Sequence, residues 1–202
     1  NPIKLNLYKP INRTTPKGMF LHESKKVCDH YKIPYTIIDH NSDKCVEMIK
    51  NLKLDLGIIL GARILEEKII NAFNVGILNM HHGLLPENRG LNTIQWGIIR
   101  NQEQGVTSHL IDGKIDQGRL VERNKIEIFS DDTLIDLYLR LQNEDQRMMI
   151  SSIKKLKKIK SKIELKMLNE VKLYNPPLTE ALEKKVNNLF EKYKKKLVKN
   201  NI

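Results

Sequence analysis

Two short apolar runs, "LDLGIIL" at 54–60 and "VGILNM" at 75–80, restrict the fold more than any other feature of the chain. Each is nearly continuous in hydrophobicity and too short for an ordinary helix, the pattern of a strand buried on both faces. Between them, residues 66–72 read as a short helix. Upstream, Phe20, Leu21, Ser24, Val27, Cys28 and Tyr31 fall at helical spacing, and "IPYTIID" at 33–39 reads as a strand. Ser42 then stands where a helix carrying Val46, Ile49 and Leu52 needs an N-cap. Strand, helix, strand, helix, strand is the grammar of a parallel sheet with helical crossovers. The expected class is therefore α/β, with a mostly parallel sheet flanked by helices. In such sheets ligands gather beyond the C-terminal strand ends, and Asn79 and His81 fall there.

Further on, Trp96 and Ile99 lie on a helix, and "GVTSHLI" and "RLVERNKIEI" read as two strands joined by "DGKIDQG". Asp131 and Asp132 open a helix running towards Met149. After residue 150 come a Lys-rich helix, the break "NPPLT" and a helix with Leu182, Val186, Leu189, Phe190, Tyr193 and Leu197 on one stripe. The chain thus divides into a domain at 1–150 and a helical tail at 151–202. So apolar a stripe must pack on the body or on a second subunit, giving a homodimer in the second case.

Charge follows the same division. Residues 1–150 hold 20 basic and 19 acidic side chains, leaving 15 and 5 for residues 151–202. A basic tail without interleaved aromatics on a neutral body reads as solvated helix faces rather than a nucleic-acid grip. Cys28 and Cys45 offer no metal or disulfide spacing, which fits a reducing cytoplasm and no metal. No apolar run approaches the roughly 18 residues of a membrane span, and the polar N-terminus lacks a signal-peptide pattern. Asn1 in place of Met points to a missing start.

Taken singly, the polar residues at the strand ends are unremarkable. A lone His81 is more often a structural histidine than a catalyst, and Asp112 and Asp116 on a Gly-rich turn serve turn chemistry. Their order changes this reading. "LGARIL" at 60–65, "NMHHGLLPENRG" at 79–90 and "GVTSHLIDGKIDQG" at 105–118 together resemble the 10-formyltetrahydrofolate-dependent formyltransferase family, over roughly residues 16–150. The resemblance implies a Rossmann-like fold whose N-terminal strand is missing here, with the helical tail as an extension. It places the catalytic Asn, His and Asp on Asn79, His81 and Asp116, and requires no metal. The formyl donor would be 10-formyltetrahydrofolate, its pterin held largely by backbone of Gly61, Ala62, Arg63, Ile64 and Leu65 and of Asp112, Gly113, Lys114 and Ile115.

The chemistry suits those residue types. Attack by an amine on the formyl carbon builds negative charge on oxygen, for which an Asn amide is a ready donor. His81, two residues on, points to the same side of an extended segment and can shuttle a proton, with Asp116 orienting it and favouring its charged form. His82 faces the other way and reads as structural or as a rim residue. The sequence departs from the family at His82, at Gly83 in place of Ser, and at Gly118–Arg119.

For the acceptor, "NRTTPKGMFLHESKKV" at 12–27 resembles the transfer-RNA and amino-sugar branches, while the residues after 150 lack the strand pattern of a transfer-RNA-gripping barrel. The expected partner is a primary amine on a nucleotide-linked amino sugar. The alternatives are glycinamide ribonucleotide, methionyl-tRNA, hydrolysis of the folate to formate, and a basic-tailed nucleic-acid-binding module. The intact Asn79, His81 and Asp116 count against the last.

Overall fold

The computed structural model describes residues 24–59, 64–159, 162–170 and 173–199. Its elements, in chain order, are α1 (Ser24–Tyr31), α2 (Asp43–Asn51), β1 (Leu56–Ile59), α3 (Glu67–Ile70), β2 (Gly76–His82), α4 (Thr93–Ile99), β3 (Gly105–Leu110), β4 (Arg119–Lys125), α5 (Leu134–Leu156) and α6 (Glu180–Lys199). Phe20 and Leu21 lie outside the described residues.

Among the described residues, four strands form one sheet in the order β1-β2-β3-β4. β1 and β2 pair parallel through the crossover that carries α3, as the two apolar runs require. The parallel pattern stops there among the described strands: β2–β3 and β3–β4 are antiparallel. The short 111–118 connection returns the chain directly along β3, which a parallel neighbour would not allow.

Two strand expectations change. Residues 33–39 form no strand, and Ile37 is 87% exposed there: extended apolar chain becomes a strand only where a neighbour completes its ladder, and no described residue does so. β1 is not buried on both faces: Ile58 is 41% exposed, and β1 is the outermost strand among the described residues.

Alternation along β2 divides the core. Ile77 joins Cys45, Ile49, Ile69 and Ile70 from α2 and α3, whereas its neighbour Leu78 packs with Leu110, Val121, Leu156 and Leu165. Helices therefore cover both faces. Ser42 caps α2 as expected, its hydroxyl accepting from Cys45 N at 3.2 Å. α5 starts two residues later than Asp132, because Thr133 and Asp136 form a reciprocal capping box. Asp132 instead is buried, in a two-bond ion pair with Arg140 at 2.8 Å.

α5 runs unbroken through residue 150, so the expected boundary falls inside a helix. The stripe of α6 packs on the body: Val186, Phe190 and Tyr193 share a buried cluster with Ile94 and Ile98 of α4 and Leu137, Leu141 and Met148 of α5, and Leu189 and Leu197 border it. Polar bonds reinforce the seat. Tyr193 donates its hydroxyl to Gln102 O at 2.6 Å and Lys194 donates to Asp132 O at 2.6 Å. No helix among the described residues is long and apolar enough to cross a membrane.

Candidate active site

The C-terminal end of β2 carries its side chains in strict alternation. Asn79 and His81 share the face of Ile77, while His82 points with Leu78 and Met80 to the other. There His82 Nε2 meets Asp145 Oδ2 of α5 at 2.5 Å, so it ties strand to helix and does not join the opposite face.

His81 is buried, and both ring nitrogens have protein neighbours. Nε2 lies 2.8 Å from the carbonyl oxygen of Asn88, which can only accept, so Nε2 carries a proton. Nδ1 faces Asp116 Oδ1 at 3.5 Å. Burial pushes the imidazole below its ordinary pKa, and it outweighs the opposing pull of the Asp116 carboxylate. Asp116 does favour the charged form, as expected from the sequence, but desolvation outweighs it, and the net shift leaves the free imidazole neutral at neutral pH, its Nδ1 lone pair ready to take a proton.

Asp116 reaches this position from the β3–β4 connection with a left-handed φ of +48°, which an Asp tolerates better than most residues. Its second oxygen accepts from Gly90 N at 2.8 Å, and Arg89 Nη2 donates to Ile115 O at 2.6 Å, tying two loops together. Gly83 explains the departure from Ser. Its φ is +151°, and a Cβ there would stand 2.7 Å from Asn88 O and 3.0 Å from His81 Nε2. Thr107 adds a brace beneath, donating to Gly83 O at 2.7 Å and accepting from Leu85 N at 3.0 Å.

His109 is the group sequence reasoning missed. It pairs with Asn79 across β2–β3 and is completely buried. Its Nδ1 donates to Gln117 O at 2.9 Å, leaving Nε2 to accept from Asn79 Nδ2 at 3.2 Å and so to orient that amide. Burial, followed by the nearby His81, pushes its pKa down to about 4, which keeps Nε2 an acceptor. The available signal was the antiparallel register, which sets His109 opposite Asn79.

Of the residues expected at the pterin, Gly61, Ala62 and Arg63 lie outside the described residues. Ile64 is 70% exposed and its carbonyl accepts from Asn41 Nδ2, whereas Leu65 packs on the α2–α3 cluster. Asp112 does perform turn chemistry, accepting from Lys114 N at 2.9 Å. Asp112 and Gly113 also bound a cavity of about 310 Å³, walled by Ile70, Leu110 and Ile111, on a flank that Asn79, His81 and Asp116 do not line. Lys114 and Ile115 lie outside its lining.

A sequence profile described as formyl transferase matches residues 12–153. The methionyl-tRNA formyltransferase of Caldanaerobacter subterraneus subsp. tengcongensis is 31% identical over 144 residues, 70% of this chain and 46% of that protein. That of Sulfurihydrogenibium sp. is 33% identical over 58% of this chain and 39% of its own length. The chain thus spans less than half the length of these curated relatives. Among solved structures, phosphoribosylglycinamide formyltransferase from Bacillus halodurans superposes with a TM-score of 0.58 at 26% identity, over 66% of this chain and 74% of that one. A sugar N-formyltransferase from Shewanella sp FDAARGOS_354 gives 0.54 at 26% identity, over 68% and 54%. With the profile spanning the sheet, the Asn79–His81 strand end and the Asp116 loop, the chain belongs to the formyl transferase family.

Proposed function

We propose that this chain transfers a formyl group from 10-formyltetrahydrofolate to a primary amine. The observation that carries the reading is His81 held between the Asn88 carbonyl and the Asp116 carboxylate, two residues after an Asn amide on the same face of the strand. Donor binding is assigned to the backbone of Asp112, Gly113, Lys114 and Ile115, the loop that carries Asp116 to His81. The donor supplies an activated formyl carbon, and the chain's own residues do the rest.

As the amine attacks, a new C–N bond forms and the carbonyl oxygen becomes negative. Asn79 has two N–H groups; one is engaged by His109, and the other is assigned to that oxygen. Nδ1 of neutral His81 takes the proton leaving the amine, with Asp116 stabilising the imidazolium. When the C–N bond to the folate breaks, the same proton passes to the departing nitrogen. Such proton transfer contributes about 10²–10⁴ in rate.

The acceptor we favour is the amino group of a nucleotide-linked amino sugar. Support comes from the likeness to a sugar N-formyltransferase and from α6, which folds back on the body instead of leading away from it. Methionyl-tRNA is the second reading, favoured by the names and identities of the relatives. Incubating the chain with 10-formyltetrahydrofolate and, separately, a nucleotide-linked amino sugar, methionyl-tRNA or glycinamide ribonucleotide, with mass analysis of the products, tests both. A formamide on the sugar alone is the expected result. Formate without formamide would replace transfer by hydrolysis, and consumption of neither substrate would refute the proposal.

A further inference from the structure

Three of the four hydrogen bonds made by one buried residue of the C-terminal tail converge on the loop beside His81. Asn175, in the segment joining α5 to α6, is completely buried. Its backbone N–H donates to Arg89 O at 2.8 Å and its carbonyl accepts from Leu91 N at 2.9 Å, bracketing Gly90. Gly90, with φ +101°, leaves no room there, since a Cβ would lie 2.5 Å from Asn175 O. The side chain makes two further bonds: Nδ2 donates to Asn88 Oδ1 at 2.6 Å, and Oδ1 accepts from Arg100 Nη1. Asn88 is held from its other end as well, donating to Thr93 O at 2.9 Å.

Both neighbours of the imidazole hang on the stretch that Asn175 clamps. The Asn88 carbonyl receives the proton on His81 Nε2, and Gly90 N holds the Asp116 carboxylate that faces Nδ1. We infer that Asn175 is a positioning residue for His81: by gripping the Asn88 amide, it fixes the carbonyl that keeps the proton on Nε2 and Nδ1 free to act as a base. The inference rests on the function proposed above, and it makes the tail part of the active site. Asn suits the task because the position must donate to one amide oxygen and accept from a guanidinium at the same time. Asp in its place keeps the second bond and turns an acceptor towards Asn88 Oδ1.

The charged or titratable groups that act on His81 are Asp116 from the β3–β4 loop and His109 from β3 on its own side, and, through space from the other face of β2, the His82–Asp145 pair. Asn175→Ala alters none of them, and Asn175→Asp leaves them in place while adding a carboxylate that stays paired with Arg100. The backbone clasp on Arg89 and Leu91 also survives both changes, so Asn175→Asp serves where Asn175→Ala fails to fold. Trp96→Phe is the control, since it removes a different bond to the same segment, from Trp96 Nε1 to Pro176 O at 2.8 Å.

The ring-nitrogen signals of His81 in ¹⁵N-labelled full-length chain, recorded without substrate at pH 7.5, read the link directly. Wild type and Trp96→Phe are expected to show a single Nε2-protonated tautomer, and Asn175→Asp a mixture of tautomers. Formyl transfer by Asn175→Asp is expected to fall by about 10- to 100-fold in kcat, the size of a small misplacement at a reacting centre, with KM for the formyl donor within about twofold. An unchanged His81 tautomer in folded Asn175→Asp, or an equal change in Trp96→Phe, would overturn the inference. Because the signals need no substrate, they judge the Asn175 link even if the chain forms no formamide, an outcome that would sink the proposed function instead.

Discussion

Truncating Phe190 asks whether the tail is an appendage or part of the core. The ring is 2% exposed, wedged between α4 and α5, stacked on Tyr193 at 6.1 Å between centroids and covered by Lys194 Nζ at 5.3 Å. Phe→Ala at such a site loses the transfer free energy of the ring and leaves a cavity, together about 3–5 kcal/mol. That is a large part of the roughly 5–15 kcal/mol that holds a domain together. With a urea slope of about 2–3 kcal/mol/M, the midpoint should drop by about 1–2 M. Trp96 is the only tryptophan, and its indole donates to Pro176 O, so its fluorescence reports the seat of the tail while circular dichroism at 222 nm reports helices throughout. Both probes should shift together in Phe190→Ala. A fluorescence transition that moves alone, with the dichroism midpoint within about 0.3 M of wild type, would show the tail peeling from an independently stable body and refute the reasoning.

Gly83→Ser should cost about 1–3 kcal/mol through its left-handed φ and the 2.7 Å approach to Asn88 O, and should lower kcat by displacing the acceptor of His81 Nε2–H; unchanged melting and unchanged turnover would contradict the site geometry. Acid should destabilise the chain through His109. The unfolded chain binds this proton near pH 6.5 and the folded one only near pH 4, so His109's contribution is present above pH 6.5 and lost as pH falls towards 4. Between pH 7 and 5 the loss is about 2 kcal/mol, and urea midpoints of His109→Gln should lack that part of the slope; parallel slopes in both proteins would contradict a neutral buried His109.

Periodicity in the sequence carried what depends on neighbours along the chain. The run at 75–80 gave β2, its alternation set Asn79 and His81 on one face and His82 on the other, and the helical spacing of Val186, Phe190 and Tyr193 gave α6 its buried side. What depended on pairing across the chain was hidden. Residues 33–39 have strand composition, yet composition cannot supply a partner strand. His109 in "GVTSHLI" reads as one polar residue in an apolar run until the β2–β3 register sets it against Asn79. Asn175 lies 87 residues from Asn88, in a break that reads only as the end of a helix. For His81 the sequence conceals the burial, which lowers the pKa, and displays the carboxylate of Asp116, which raises it by less.

The central claim is that His81, and not its neighbour His82, moves the proton of formyl transfer. Formamide production from 10-formyltetrahydrofolate and the accepted amine, followed at saturating concentrations for wild type, His81→Ala and His82→Ala, tests it directly. The expected result is a fall of about 10²–10⁴ for His81→Ala with the fold intact, and a loss of less than about tenfold for His82→Ala, whose bond to Asp145 fastens β2 to α5 on the opposite face. Near-normal turnover in His81→Ala, or a deeper loss in His82→Ala, would contradict the account.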